Sequence, residues 1–403
     1  MNILFLSELF YPHGGGAELA TALYANILSE AGFNVTVLTN KFGNEKETVR
    51  KRNLTIRRIP IFEKNVNKYS LFWRTDILMR RFFRKLVKWS DCVYIPRLWF
   101  SAIPLARLLR KKVVLHFHDY VPVCPISSCY DVNKKKTCFG ANYDCSRCIF
   151  VFEKLQKKES WHILSSVALN STIGPALRYA ANFSDSLICV SERQKSLILK
   201  GKPSLAEKAY VIYNPVPQFG FPEITEDGFG YFGGPNWFKG FGTLFDAMSH
   251  LASEKQLNLK IYATKFPATS GSYGECLRKS GFLLYGKLSE KEYSDLYGSI
   301  CSVIVPSIWH EPWPYVVVEA LLKGRFVIAS EVGGIPEQVK GCKGVMLFPA
   351  GDQKELADDV QIVSNMKREQ IADFGFQNRE VFLKRRDTEN ACKKFTALLS
   401  SLN

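Results

Sequence analysis

Short apolar runs alternate with amphipathic, helix-like segments along the whole chain. The apolar runs predict strands at residues 2–6, 33–39, 91–95, 113–116, 186–190, 209–213, 229–232, 257–264, 282–285, 303–305 and 326–330. Apolar strands that are separated by helices are typical of parallel sheets covered by helices on both faces. The pattern therefore predicts an α/β protein.

The pattern is interrupted most clearly at Asn214-Pro215-Val216-Pro217, where two prolines end a strand. A chain of 403 residues suits two domains with separate cores. We therefore expect a first domain at residues 1–216 and a second domain from residue 217. No apolar run approaches the ~20 residues of a membrane span, and the first residues lack the basic start of a signal peptide, so we expect a cytoplasmic location.

The segment 303–337 contains the most informative motifs. A strand ends before Ser307, the next loop carries Glu311, the following helix carries Glu319, and a second strand leads to Gly333-Gly334. Helix N-termini and glycine backbones favour phosphate, whereas carboxylates accept paired hydrogen bonds from sugar hydroxyls. Phosphate-binding backbone beside hydroxyl-binding carboxylates predicts a nucleotide-sugar site.

These motifs resemble the signature of a known enzyme family. Pro306-Ser307, Glu311-x7-Glu319-Ala320 and Gly333-Gly334-Ile335-Pro336-Glu337 are similar to those of retaining glycosyltransferase family 4, which has the GT-B fold. The resemblance implies two Rossmann-like domains that face each other across a cleft. It also implies that the second domain occupies residues 217–375, and that C-terminal helices at 376–403 cross back to the first domain.

The same resemblance assigns roles to single residues. Glu311 would contact sugar hydroxyls near the transferred carbon, and the His-Asp pair of the family corresponds here to His118 with Asp119, so these three are the expected catalytic residues. The expected donor-binding residues are Gly15, Gly16, Lys239, Ser307, Glu319, Gly333 and Gly334. Among them, Glu319 would bind the ribose of a UDP- or GDP-sugar. Fixed cations and helix dipoles can stabilise the leaving diphosphate, so no catalytic metal is required. Retention without an obvious nucleophile implies front-face attack by the acceptor hydroxyl.

One position departs from the family pattern. The family shows Gly-Arg, a short spacer and then Lys-Gly near the start of the second domain; Lys239 matches the lysine, but Gly234 holds the arginine position. Roughly half of the cationic compensation for the diphosphate is then missing. We expect helix N-termini or another basic residue, such as Arg193 or Lys195, to supply it.

A cysteine-rich insertion follows the His-Asp pair, at about residues 121–150. Cys145 and Cys148 have the spacing of a metal knuckle, and Cys124 and Cys138 complete our preferred set of four thiolates for a structural zinc ion. The polar segment 133–140 is too hydrophilic to fold without such a staple. Free thiols and an iron–sulfur cluster are the alternatives.

The net charge of +16 is unevenly distributed. Residues 1–215 contain 33 Lys and Arg against 16 Asp and Glu, a net of +17, whereas the remaining residues contain 21 and 22, a net of −1. The segment 73–89 adds a cationic, amphipathic helix, whose apolar face is also suited to packing on a sheet. We expect peripheral docking on an anionic membrane at its cytoplasmic face, where a lipid-linked or cell-envelope glycan would be the acceptor.

Three other functions are compatible with parts of this pattern. A nucleotide-sugar 2-epimerase of the same fold would act on the donor without an acceptor. A nucleic-acid-binding protein would use the basic half, but the basic residues show no repeating aromatic platform. A lectin-like, inactive relative would explain the loss of arginine at Gly234.

Overall fold

The computed structural model describes residues 1–61, 75–140, 144–254, 257, 259–267, 271–385 and 388–402. Backbone contacts divide the chain into two units, one of Met1–Pro215 with Thr388–Asn403 and one of Val216–Asp387. The first residues of the expected cationic helix, Trp73 and Arg74, lie outside the described residues, as do residues 141–143 of the cysteine-rich insertion.

An eight-stranded sheet lies at the centre of the first unit. Its strands are β1 (Asn2–Leu6), β2 (Asn34–Asn40), β3 (Thr48–Lys51), β4 (Leu54–Ile59), β5 (Cys92–Ile95), β6 (Lys112–Phe117), β9 (Ser186–Cys189) and β10 (Ala209–Val211). Two further short strands of the unit are β7 (Tyr130–Asp131) and β8 (Lys136–Thr137). The sheet order is β10-β9-β6-β5-β1-β2-β4-β3, while β7 and β8 form a separate antiparallel hairpin. Within the sheet only β3 and β4 pair antiparallel. The sequence pattern missed this edge hairpin because its residues are polar and half exposed.

Seven helices accompany this sheet in the described part of residues 1–215. They are α1 (Gly16–Glu30), α2 (Thr75–Met79), α3 (Arg81–Trp89), α4 (Ala102–Leu108), α5 (Cys145–Leu155), α6 (Ser160–Ala180) and α7 (Glu192–Gly201). In α3, the apolar residues Phe83, Leu86 and Val87 are buried in the unit, and Phe83 stacks on Trp99 at 5.9 Å. The outer face of α3 is therefore mainly cationic, with Arg81, Arg84, Lys85 and Lys88 exposed beside Trp89, as expected if its apolar face packs on the sheet.

The second unit contains a fully parallel six-stranded sheet. The strands are β11 (Gly228–Tyr231), β12 (Ile261–Ala263), β13 (Phe282–Leu284), β14 (Ile300–Val305), β15 (Phe326–Ser330) and β16 (Val345–Phe348), in the order β13-β12-β11-β14-β15-β16. The helices are α8 (Phe241–Glu254), α9 (Gly271–Lys279), α10 (Glu290–Leu296), α11 (Tyr315–Leu322), α12 (Ile335–Val339), α13 (Gln353–Ser364) and α14 (Arg368–Arg385). The α/β architecture with parallel sheets in two units is the one that the apolar pattern predicts.

The last helix, α15 (Thr388–Ser400), belongs to the first unit although it follows the second in the chain. Its residues Ala391, Phe395, Leu398 and Leu399 join the core that β1, β2 and β5 build. Phe395 lies edge-on to Tyr24 at 4.7 Å and to Tyr94 at 5.6 Å. Residues 376–385, which we expected to begin the crossing, instead continue α14 within the second unit.

Candidate active site

Glu311 is the centre of a polar cluster in the second unit. It lies in the loop after β14 and is only 4% exposed. Its Oε1 accepts hydrogen bonds from Lys239 Nζ at 2.6 Å, Ser307 Oγ at 2.8 Å and Trp309 Nε1 at 2.9 Å. The ammonium of Lys239 also lies 5.4 Å from the Trp309 ring centroid. The cluster fixes one carboxylate with one cation at the carboxyl edge of a parallel sheet, where ligands of such sheets bind.

Close backbone contacts shape this loop and require glycine at two positions. At Gly333, where φ is +54°, a Cβ atom would lie 2.0 Å from the Glu311 carbonyl oxygen. At Gly240, where φ is +72°, it would lie 1.6 Å from the Pro306 carbonyl oxygen. The Gly334 amide donates to the Glu311 carbonyl at 2.7 Å, so this amide serves the loop itself.

Glu319 occupies a more apolar environment on α11. It is 8% exposed, and its Oε2 accepts a hydrogen bond from the Tyr293 hydroxyl at 3.0 Å. Lys323 Nζ lies 3.9 Å from Oε1, one turn along the helix. Burial raises the pKa of Glu319 to about 7, although Lys323, Tyr293 and Lys265 lower it in part. This carboxyl group therefore changes its protonation state near neutral pH.

Lys265 is a second cation of this region that the sequence motifs did not identify. It follows β12, and its backbone packs against Gly234, where a Cβ atom would lie 3.2 Å from the Lys265 carbonyl oxygen. Partial burial and the charge of Lys239 lower the pKa of Lys265, and the charge of Glu319 raises it. Lys265 therefore interacts electrostatically with both Lys239 and Glu319, and it lies beside Gly234, where the family has arginine.

Arg97 is the centre of a second polar cluster, in the first unit. It follows β5 and forms ion pairs with Glu8 Oε1 at 3.3 Å, with Asp119 Oδ2 at 3.8 Å and with Glu18 Oε1. Burial raises the pKa of Glu8, although Arg97 opposes this effect. Burial alone would also raise the pKa of Glu18, but Arg97 and the Gly15 amide hold it below its ordinary value. Three carboxyl groups thus share one guanidinium.

His118 lies at the same sheet edge and is held neutral. Its ring stacks on that of His116 at 4.5 Å, and His116 Nδ1 is 2.6 Å from the Tyr94 hydroxyl. Burial lowers the pKa of His118 to about 3, with a further contribution from Arg97, although Glu18 raises it. Within the described residues, His118 Nε2 has no hydrogen-bond partner. A neutral imidazole with an unpaired nitrogen can bind a hydroxyl but cannot act as a cation at physiological pH.

The glycine loop before α1 binds one of its own carboxylates. Gly15 donates its amide to Glu18 Oε2 at 2.6 Å, and a Cβ atom at Gly14 would lie 2.5 Å from the Glu18 side chain. The N-terminus of α1 therefore holds a negative charge before any ligand binds. We expected Gly15 and Gly16 to contact the donor diphosphate, and in this structure the Gly15 amide is committed to Glu18.

Gln194 in α7 bonds to the backbone at the end of β6, on both sides of His118. Ser191 Oγ accepts a hydrogen bond from the Gln194 amide at 3.1 Å and so caps the N-terminus of α7. The Gln194 side chain donates to the carbonyl groups of Phe117 at 3.1 Å and Asp119 at 3.0 Å. Gln194 thereby fixes the backbone on both sides of His118.

Family models match both halves of the chain. The model described as Glycosyltransferase Family 4 matches residues 14–218, and the model described as Glycosyl transferases group 1 matches residues 226–365. The chain belongs to glycosyltransferase family 4. The predicted family and the α/β GT-B fold are therefore confirmed.

Solved structures show the same fold for this glycosyltransferase. Sucrose-phosphate synthase from Thermosynechococcus elongatus matches 100% of the chain at a TM-score of 0.71 and 16% identity, over 98% of its own length. Anabaena HepE in complex with UDP and glucose matches at a TM-score of 0.66 and 18% identity, over 100% of both chains. A curated relative, an uncharacterized 42.6 kDa protein in the cps region of Klebsiella pneumoniae, is 25% identical over 84% of this chain and 87% of its own.

The four cysteines expected to bind zinc in the glycosyltransferase line one small cavity. Cys124, Cys138, Cys145 and Cys148 surround about 20 Å³ of space together with Asp131. As the side chains stand, no three His, Cys, Asp or Glu residues in the described parts of the chain are grouped closely enough to hold a metal ion. The Cys138 thiol donates instead to the Gly140 carbonyl at 3.3 Å. The cavity brings the four thiols together without placing them in a metal-binding geometry.

The structure thus places the expected site residues of the glycosyltransferase in two clusters. Lys239, Ser307 and Glu311 are in direct contact, with Glu319 on the next helix. His118 and Asp119 share the other unit with Gly15 and Gly16. The sequence motifs did not identify Glu8, Glu18 and Arg97. Glu8 and Arg97 lie two residues after the predicted strands 2–6 and 91–95, and this position at strand ends is the signal that could have indicated them. Among the described helices, none is both long and apolar enough to cross a membrane.

Proposed function

We propose that the protein is a retaining hexosyltransferase that transfers a sugar from a UDP- or GDP-sugar to a hydroxyl of a cell-envelope or lipid-linked glycan. The Glu311 cluster carries this proposal, because a buried carboxylate beside a lysine suits a sugar hydroxyl next to a diphosphate. HepE binds UDP and glucose in its crystal structure, which supports a UDP-sugar donor. The relative in a cps region supports an envelope polysaccharide as the product.

Each residue would have a distinct role in this reaction. The three hydrogen bonds of the Glu311 side chain go to Oε1, so Oε2 is the oxygen proposed to accept a sugar hydroxyl. Glu319 would bind the ribose as a carboxylate. Lys239 would stabilise the leaving diphosphate, and we propose that Lys265 supplies the charge that the family arginine provides elsewhere. No catalytic metal is part of this proposal.

The first unit would bind the acceptor and contact the transferred sugar. Because its pKa is about 3, His118 would act as a neutral hydrogen-bonding group and not as a general acid. Asp119 would orient the same region through its carboxylate, whose Oδ1 accepts the Val121 amide at 3.0 Å. Retention would proceed by front-face attack of the acceptor hydroxyl.

A differential thermal-shift screen of UDP, GDP, ADP and their sugars tests the donor. A ligand that binds only the folded protein raises its melting temperature, and at equal concentration a tighter ligand raises it more. We expect the largest shift with a UDP-sugar, and a reduced shift in Glu319→Gln. Absence of any shift at millimolar concentration would contradict the proposal. Incubation with the donor alone then separates a transferase from a 2-epimerase, since only the epimerase converts the sugar without an acceptor.

We further propose that Cys124, Cys138, Cys145 and Cys148 hold a structural zinc ion once their thiols rotate toward the shared cavity. Four thiolates in tetrahedral arrangement are the usual structural zinc site. Elemental analysis of protein purified without added metal should give about one zinc per chain. Cys145→Ser should lower this content, whereas Cys276→Ser, at an exposed cysteine of the second unit, should not. A wild-type content below about a tenth of an equivalent would leave free thiols, and iron in place of zinc would indicate a cluster.

The remaining part of the proposal is location. The excess of positive charge in residues 1–215 favours an anionic surface, and each basic residue near such a surface contributes ~1 kcal/mol at low salt. We propose that the first unit docks reversibly on the cytoplasmic face of a membrane. In α3, Arg81, Arg84 and Lys85 are exposed and contribute charge, whereas Phe83, Leu86 and Val87 are buried and would not enter lipid.

A further inference from the structure

One face of α6 presents an uncharged and largely apolar surface to solvent. The buried face of this 21-residue helix carries Ile163, Ser166, Asn170, Gly174 and Arg178. The exposed face, here called the α6 stripe, carries Trp161, Leu164, Ala168, Thr172, Pro175 and Tyr179. Their spacings of three and four residues place them along one side of the helix.

The exposure of the α6 stripe is unusual for the surface of a soluble unit. Trp161 is 80% exposed, Leu164 61% and Tyr179 60%. A helix that packs on a core with one face normally presents charged residues on the other. All residues of α6 are described, and the stripe contains no Asp, Glu, Lys or Arg. A continuous apolar surface of this kind marks an interaction site.

Positive charge borders the α6 stripe. Lys154, Lys157 and Lys158 are exposed at the turn between α5 and α6, where Glu159 is the exposed acidic residue and Glu153 is buried. The cationic helix α3 belongs to the same unit, in which α6 packs against the segment Trp99–Ser101 and Phe83 of α3 stacks on Trp99. Both features lie in the half of the chain with a net charge of +17.

We propose that the α6 stripe is the surface by which this protein docks on an anionic lipid bilayer. The inference rests on the membrane location proposed above and names the residues that enter the lipid. The 19 residues from Trp161 to Tyr179 span ~27 Å of helix, so both aromatic rings reach the interface only if the helix lies in the membrane plane. Trp and Tyr prefer the headgroup level, and the lysines would contact anionic headgroups.

A second copy of the chain is a less suitable occupant for the same face. A two-fold interface brings the same surface patch of both copies together. The lysine-rich turn at one end of the stripe, on a unit with a net charge of +17, would then approach its own like charge. Anionic lipid matches the apolar stripe and the basic border at once.

Vesicle flotation with phosphatidylcholine and phosphatidylglycerol at a ratio of 7:3 tests the proposal. The variants are Trp161→Ser/Leu164→Ser, and as a matched control Leu283→Ser/Ile362→Ser, which removes two exposed apolar side chains from the second unit. We expect wild type and control to bind alike and the α6 variant to lose about tenfold or more in partitioning, since two large apolar side chains no longer enter the lipid. Lys154→Gln/Lys157→Gln/Lys158→Gln should weaken binding at low salt and converge with wild type at high salt.

Brominated lipid supplies a direct probe of depth. The chain has 7 tryptophans, and the difference in quenching between wild type and Trp161→Phe isolates the contribution of Trp161. Strong quenching that disappears in Trp161→Phe supports insertion of the stripe.

The outcomes distinguish the proposal that the α6 stripe is the docking surface from the proposal that the protein binds a membrane. If wild type binds vesicles and the α6 variant binds equally well, the stripe is not the docking surface, although the membrane location stands. If wild type ignores anionic vesicles at low salt, both proposals are wrong. If wild type ignores vesicles and is dimeric by sedimentation velocity, while the α6 variant is monomeric, a second copy covers the stripe. Donor binding in the thermal-shift screen is independent of all three results.

Discussion

The two units place charged residues at the same position of their sheets but balance them differently. In the second unit, Glu311 has one lysine and two further hydrogen-bond donors for a single oxygen. In the first unit, Glu8, Glu18 and Asp119 share the single guanidinium of Arg97, and the adjacent imidazoles of His116 and His118 are neutral. The cluster in the first unit thus has three carboxyl groups for one guanidinium.

This difference indicates a division of labour between the clusters. The carboxylate of Glu311 keeps one oxygen for a ligand, so its removal should affect the reaction more than the fold. Arg97 is enclosed by carboxylates of the protein itself, so its removal should affect the fold first. The predictions below test this contrast.

The largest effect is expected from Arg97→Gln. Removing the guanidinium leaves three buried carboxyl groups without their counter-charge, and the loss of one partner from a buried ion pair typically costs about 3–5 kcal/mol. Urea titration of wild type and variant measures the change in the free energy of unfolding. Arg107→Gln is the matched control, since Arg107 pairs with Asp185 at the surface and should change stability by less than about 1 kcal/mol. Equal urea midpoints for Arg97→Gln and Arg107→Gln would contradict the stabilising role of Arg97.

Glu311→Gln should reverse this order of effects. The side-chain volume is kept, so the melting temperature should change little, whereas loss of one well-placed charged group costs ~3 kcal/mol or more of transition-state stabilisation, about a hundredfold in kcat. Steady-state turnover of the best donor measures it. A kcat within about threefold of wild type would show that Glu311 is not catalytic.

Glu319→Gln should weaken donor binding by about tenfold, because a hydrogen bond to a carboxylate is stronger than one to a neutral amide. With a pKa of about 7 in the fold against 4.5 for the free group, wild-type Glu319 contributes stability that is present below pH 4.5 and lost as the pH rises through 7. As the pH rises from 4.5 to 7, the variant should therefore become more stable relative to wild type. Melting curves and donor titrations between pH 5 and 8 check both statements, and donor affinity that ignores pH would count against the ribose role.

Lys265→Gln should have the smallest effect. Its side chain is partly exposed to solvent, so we expect a loss of about threefold in donor affinity that fades with added salt. Binding of UDP, measured by calorimetry at two salt concentrations, tests it against Lys287→Gln, a second exposed lysine of this unit. Equal losses in the two variants would indicate general charge and not a replacement for the family arginine.

The sequence predicted the parts of the fold that depend on local patterns. β1 and β15 occur at the predicted residues, since apolar runs bounded by polar or glycine residues identify buried strands. Glu311 and Glu319 were identifiable because both belong to one strand-loop-helix segment. The apolar pattern does not indicate the break between α5 and α6, where Lys157 has a φ of +54°.

The contacts that depend on strand order were not predictable in the same way. Glu8, Glu18 and Arg97 come from distant parts of the chain and meet only because β1 lies beside β5 in the sheet. The proximity of Lys265 to Gly234 likewise follows from the pairing of β11 with β12. The use of the Gly334 amide by Glu311 is also a tertiary effect, whereas the contact of the Gly15 amide with Glu18 is local to the first turn of α1; a glycine motif alone reveals neither.

The position of α15 has a consequence for biosynthesis. Phe395 and Leu399 complete the core of the first unit, yet they leave the ribosome after every residue of the second unit. During translation, residues 1–215 cannot complete their apolar core until α15 has been synthesised, whereas residues 216–385 can already fold as a unit. The nascent chain therefore finishes its second half before its first, and exposes the incomplete first core to chaperones throughout that interval.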